Sequence, residues 1–82
     1  MPRRSAREIG AIIREHRKVH LMLNQEQLGK KVGLGVSAIS RIEKGAMQIT
    51  ADRLIAICEA LSLSADYLLW KCGETDALGS NR

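Results

Sequence analysis

The sequence predicts an all-α fold, a compact bundle of five helices, and three observations carry that expectation. Apolar residues recur at helical rather than alternating spacing, as Ile9, Ile12 and Ile13 do near the start of the chain. Polar residues suited to helix N-termini stand ahead of such segments, and glycines close several of them. Aromatic side chains are nearly absent: Tyr67 and Trp70 stand alone and there is no Phe. The core must therefore be built from Ile, Leu, Val and Ala, which favours packed helices over a β-sandwich.

Each element has its own signal. Ser5 with Glu8 three positions on forms a capping box, and Ile9, Ile12, Ile13 and Leu21 at helical spacing place the first helix at residues 6–20. Asn24 and Gln27 repeat the capping arrangement ahead of a short second helix, residues 25–32, which Gly33 stops. The tight connection Gly33-Leu34-Gly35 leads into a third helix at 36–44, with Ile39 and Ile42 on its buried side and Gly45 at its end. After a loop from Gly45 to Ile49, Thr50 caps a fourth helix whose apolar face is Leu54, Ile55, Ile57, Cys58 and Leu61. Ser64 caps a short fifth helix carrying Tyr67, Leu68 and Leu69. Residues 1–5 then form a basic N-terminal arm, 6–70 the folded domain, and 71–82 a polar C-terminal tail expected to fray.

Eighty-two residues allow one small domain and exclude most enzyme architectures. With 45% hydrophobic and 27% charged residues the composition is that of a globular chain, not a disordered one. The net charge of +4 is unevenly placed: residues 1–45 carry ten basic and four acidic side chains, a net of +6, whereas 46–82 carry three and five, a net of −2. Such a basic half is the electrostatic footprint of nucleic-acid binding, although many soluble proteins possess one without using it.

Cys58 and Cys72 make no disulfide framework, and no Cys/His spacing matches a structural zinc site. Without an export signal or a run of about 18 apolar residues, the chain reads as cytoplasmic and not membrane-bound. His16 and His20 stand four apart, but Arg17 and Lys18 lie where a zincin carries its glutamate and a third ligand is missing, so neither metal nor cofactor is expected. Cys58 reads as a small buried side chain and Cys72 as an exposed thiol of the tail. Ser37 and Ser40 lack a base partner for nucleophilic catalysis, so a small hydrolase ranks last among the candidate functions and no enzyme is expected.

The informative stretch is L-N-Q-E-Q-L-G-K-K-V-G-L-G-V-S-A-I-S-R-I-E-K-G, Leu23 to Gly45. Counted from Gln25, it places Leu28, Gly29, Val32, Gly33, Leu34, Ile39 and Ile42 at positions 4, 5, 8, 9, 10, 15 and 18. Two short helices crossing through a tight turn need a residue without a bulky side chain at the crossing, which Gly29 supplies, and a residue tolerant of positive φ in the turn, which Gly33 supplies. The five apolar positions bury the inner faces. This pattern, with I-G-A-I-I-R-E-H-R before it and A-L-S-L-S-A-D-Y-L-L after it, resembles the helix-turn-helix of the phage repressor and Cro family, the XRE type, over about residues 6–70.

The resemblance implies a lambda-repressor-like domain of five helices whose third lies in the major groove of DNA. Helical geometry agrees with that role. With Val36 at 0° and about 100° per residue, Ser40, Lys44, Ser37 and Arg41 fall at about 40, 80, 100 and 140°, whereas Ala38, Ile42 and Ile39 fall at about 200, 240 and 300°. One face is apolar, and the other presents hydroxyls and two cations. Val36, Ser37, Ser40 and Arg41 are the candidate base readers; an arginine such as Arg41 suits guanine O6 and N7. Val36 stands where many relatives carry Gln, which exchanges a hydrogen-bonding reader for one able to touch a thymine methyl.

The family places Gln25, at the start of the second helix, against a phosphate, and Lys44 and Gln48 are similar candidates. Arg3, Arg4 and Arg7 form either an arm reaching DNA or a solvated basic terminus. Arg17 and Glu43 occupy the places of an ion pair common in the family. The segment Lys18 to Met22 is one residue longer than usual and Met22 replaces a common Gly, so Lys18 is the alternative partner of Glu43.

The function implied is a sequence-specific, repressor-like transcriptional regulator of double-stranded DNA. One helix in one groove reads too few base pairs for a unique address, so a homodimer on a near-palindromic operator is expected, with half-sites about 34 Å apart. Tyr67, Leu69 and Trp70 are the candidate dimer surface, with intramolecular packing as the other reading. The competing function is a protein-interaction module, such as an antitoxin or antirepressor partner, for which Val36 is the best support. No effector domain fits this length, so no small-molecule effector is expected.

Overall fold

Ser5 Oγ accepts a hydrogen bond from Glu8 N–H at 3.1 Å while the Glu8 carboxylate accepts from Ser5 N–H at 2.8 Å, and from this closed capping box helix α1 (Ala6–Glu15) runs. The computed structural model describes residues 3–70, so the tail expected at 71–82, with Cys72, lies outside the described residues. Asn24 and Gln27 close the second capping box, at 2.7 and 2.8 Å, ahead of α2 (Gln25–Val32). Helices α3 (Val36–Lys44), α4 (Ala51–Leu61) and α5 (Ala65–Leu69) follow, the last two capped by Thr50 and Ser64. The five expected helices are thus present among the described residues.

The first helix departs from expectation in its last turn. Residues His16–His20 form a π-helical turn, in which Leu21 N–H reaches the His16 carbonyl at 3.0 Å. A π turn takes up one more residue than an α turn, which accommodates the additional residue between Lys18 and Met22. The chain then reverses at Met22, whose φ of +55° is left-handed, and Leu23 N–H closes onto the Arg17 carbonyl at 2.8 Å.

Three later helices end alike. A left-handed residue follows the last turn of α2, α3 and α4, namely Gly33, Gly45 and Ser62, and the next N–H bonds back to Gly29, Arg41 and Cys58 respectively. Gly33 suits that conformation because it lacks a Cβ; Ser62 adopts it at φ +59° without that advantage.

Ile9 and Ile13 of α1, Leu28 of α2, Ile39 and Ile42 of α3, Leu54, Ile57, Cys58 and Leu61 of α4, and Leu68 of α5 form one core. Ile55, assigned by sequence to the apolar face of α4, is 52% exposed. One residue beyond Leu54, it is turned by about 100° out of the buried stripe. Burial in this apolar setting pushes the Cys58 thiol above its ordinary value.

Two bare positions bring helices together. A Cβ on Gly29 would meet the Leu34 carbonyl oxygen, as expected of a crossing between α2 and α3. A Cβ on Gly10 would lie 2.6 Å from the Glu43 carbonyl oxygen, so α1 packs against the end of α3 only because Gly10 has no side chain.

The two ends of the described chain also meet. Arg4 N–H donates to the Leu69 carbonyl at 2.7 Å, Arg4 Nε donates to the Tyr67 carbonyl at 3.2 Å, and Arg3 pairs with Trp70 in an antiparallel bridge. These bonds satisfy carbonyls at the end of α5 that have no partner within the helix.

Candidate nucleic-acid interface

Helix α3 is split lengthwise. Ile39 and Ile42 are buried in the core, and the opposite face exposes Val36, Ser37, Arg41 and Lys44, with Ser40 half-buried at its edge. Val36 is 47% exposed at the first turn, so an apolar side chain stands in water at the leading end of the face. Among the described residues Arg41 and Lys44 make no hydrogen bond or ion pair through their side chains. Two full positive charges are therefore available outside the fold.

Behind that face sits a buried polar network. The carboxylate of Glu43 accepts from Arg17 Nε at 2.5 Å and Arg17 Nη2 at 3.0 Å, a two-pronged pair, while Arg17 Nη1 donates to the Leu23 carbonyl at 2.8 Å. The cation that meets Glu43 is Arg17, whereas Lys18 is exposed. Arg17 thereby joins α1, the turn into α2, and α3 in one fork. A further member carries no signal in the sequence: Gln25 Nε2 donates to Glu43 Oε1 at 3.1 Å. The residue expected at a phosphate is thus held by one amide hydrogen to the carboxylate that anchors α3, which fixes the direction of its side chain at the start of α2.

The other expected contacts are distributed. Gln48 is exposed on the loop after α3 and lines a cleft with Arg3, Met47 and Ile49. Arg4 does not extend into solvent as an arm residue: its guanidinium lies 5.5 Å from the centre of the Tyr67 ring as well as bonding the Tyr67 carbonyl. Arg7 is exposed. Tyr67 is flanked on another side by His16, ring centres 6.2 Å apart, yet remains exposed, while Leu69 and Trp70 are half-buried. His16 and His20 stack at 4.6 Å, and no group of three metal-binding side chains occurs among the described residues. Arg14 lines one cleft together with Gln25, Glu43 and Lys44. Its signal is its spacing, three residues before Arg17 and hence on nearly the same side of α1 as the fork to α3.

A half-buried third helix, a short second helix tied to it through a glycine-closed turn, and an outer face of unpaired polar and cationic side chains define a helix-turn-helix domain. The helix-turn-helix family model matches residues 13–68, and the chain belongs to that family, in its phage repressor and Cro-like, XRE-type branch. It is 41% identical over 61 residues to the repressor protein C2 of Salmonella phage P22, covering 74% of this chain and 28% of that protein. It is 36% identical over 59 residues to an uncharacterized transcriptional regulator in the ATPase CF(0) region of Rhodospirillum rubrum, covering 72% and 54%. The chain thus spans about half or less of the length of these curated relatives.

Solved structures agree. The P22 c2 repressor in complex with synthetic operator 9T superposes with a TM-score of 0.70 at 41% identity, over 74% of this chain and 91% of that one. The restriction-modification controller protein C.AhdI from Aeromonas hydrophila gives 0.71 at 25% identity, over 77% and 94%. Family and fold are those of DNA-binding transcriptional regulators, not of enzymes. Among the described residues no helix is long and apolar enough to cross a membrane.

Proposed function

We propose that this chain is a cytoplasmic, repressor-like regulator that lays α3 in the major groove of double-stranded DNA and binds a near-palindromic operator as a homodimer. The observation that supports it best is the outer face of α3, where Arg41 projects from a half-buried helix with no side-chain partner among the described residues. A guanidinium so placed donates two hydrogen bonds to one guanine edge, while Ser37, Ser40 and Val36 meet neighbouring base edges and methyls. Lys44, Gln48 and Gln25 contact phosphates and set the register. The P22 c2 repressor, which shares the fold and 41% of the aligned residues, was solved on a synthetic operator.

Two copies are needed because a single α3 covers only a few base pairs. Tyr67, exposed on α5, with Leu69 and Trp70 beside it, is the surface proposed to meet the second copy. Selection of bound sequences from a random duplex pool tests the whole reading. It is expected to return two inverted half-sites about 34 Å apart with two chains per duplex. A pool that shows no enrichment would refute DNA reading and favour the interaction-module alternative.

A further inference from the structure

We propose that His16 and His20 form a two-imidazole chelate for one divalent transition ion of the Ni²⁺ or Cu²⁺ type, across the π-helical turn that follows α1. This site is independent of the DNA-binding reading. The sequence argument against a metal concerned a catalytic zinc, which needs a third protein ligand and a general base, whereas a two-histidine chelate completes its shell with water. The chain has two histidines, and folding sets both on one turn.

Their ring centres lie 4.6 Å apart. Imidazole nitrogens bind such ions at about 2.0–2.1 Å, which puts each ring centre about 3.2 Å from the metal; two rings at a right angle are then about 4.5 Å apart, and at a tetrahedral angle about 5.2 Å. The observed spacing matches the right angle of a tetragonal or octahedral ion. The ring planes differ by 32°. The ring torsion of histidine is broad, and the exposed His20 ring makes no hydrogen bond among the described residues, so it can turn a nitrogen toward the shared point.

His16 is already oriented as a ligand. Its Nδ1 lies 3.1 Å from the Ile12 carbonyl oxygen, which only accepts, so the proton sits on Nδ1 and the Nε2 lone pair is left for a metal. A carbonyl on the far nitrogen is a common outer partner of a ligating histidine, because it fixes both tautomer and ring direction. The half-buried ring is further held against Tyr67, ring centres 6.2 Å apart. The neighbouring cations oppose binding less than their sequence positions suggest. Arg17 is neutralised by Glu43, and the Arg4 guanidinium is engaged at the Tyr67 ring and carbonyl. Lys18, exposed and two residues from each histidine, stands about half a turn around the helix from both.

The test titrates the full chain with Ni²⁺ and follows the ring-proton NMR signals of its two histidines, with calorimetry for the stoichiometry. Both rings are expected to broaden together, at one ion per chain. His20→Gln is expected to weaken Ni²⁺ binding by at least about tenfold, because removing one arm of a chelate forfeits the effective concentration of the other. Lys18→Gln should bind at least as tightly as the parent, and Mg²⁺, which prefers oxygen ligands, should leave both rings unchanged. His20 is exposed, so the metal-free melting curve of its variant should match the parent's. Ni²⁺ affinity that survives His20→Gln would place the ion on another group, such as the Cys72 thiol, and overturn the chelate. One ion per two chains would make the site a bridge between copies and overturn the proposed pair. An equal response to Mg²⁺, or no broadening of either ring in excess Ni²⁺, would overturn it as well.

Discussion

Met22 combines a left-handed φ of +55° with 82% exposure, so it bears a backbone penalty and gains little burial in return. That conformation costs a side-chain-bearing residue about 1–2 kcal/mol, whereas glycine adopts it freely but adds about 0.4–1 kcal/mol of unfolded-state entropy. Met22→Gly is therefore expected to stabilise the domain by about 0.5–1 kcal/mol, which raises the melting temperature by several degrees at roughly 4–8 °C per kcal/mol. A lower melting temperature in a calorimetric scan would show that the Met22 side chain makes contacts worth more than the strain. The sequence showed that a residue was added here and that a common glycine was missing. It did not show where the addition would be absorbed, because a π turn needs no special residue type and leaves no local signature.

Among the elements, the junction of α1 with α3 combines a contact without a Cβ and a buried ion pair. Gly10→Ala should raise intrinsic helix propensity by about 1 kcal/mol, yet the new Cβ would meet the Ile42 and Glu43 carbonyls. Overpacking of that kind costs about 1–3 kcal/mol, so a net loss of stability in urea is expected, and an unchanged or higher midpoint would mean that α1 and α3 separate freely. The Arg17–Glu43 pair obeys a different rule. Removing either partner leaves a buried charge and should cost about 3–5 kcal/mol, whereas Arg17→Met combined with Glu43→Leu should lie closer to the parent than either single change. Losses that simply add in the double variant would contradict a coupled pair. Helix limits at this scale were largely legible, because capping boxes, glycine stops and apolar periodicity are local. The Gly10 contact and the Gln25 bond to Glu43 were not, because each depends on where a second helix arrives.

For the whole molecule, the two ends of the described segment meet although they are far apart in sequence. Arg3 and Arg4 read as part of a basic arm, yet they pair with Trp70 and Leu69, and nothing in a local window announces a contact across the length of the domain. Charge asymmetry and the helix-turn-helix spacing, in contrast, survive folding intact: the basic half carries α3, and α3 presents its polar face outward. What that face touches decides the function, and the most direct measurement is the affinity of the parent and Arg41→Ala for the selected operator and its single-base variants at fixed salt. The parent is expected to discriminate by about 1–3 kcal/mol at one guanine position, and Arg41→Ala to lose that discrimination while retaining weak, salt-dependent binding to any duplex. An Arg41→Ala chain with the parent's full base preference would contradict the assignment of α3 as the reading helix.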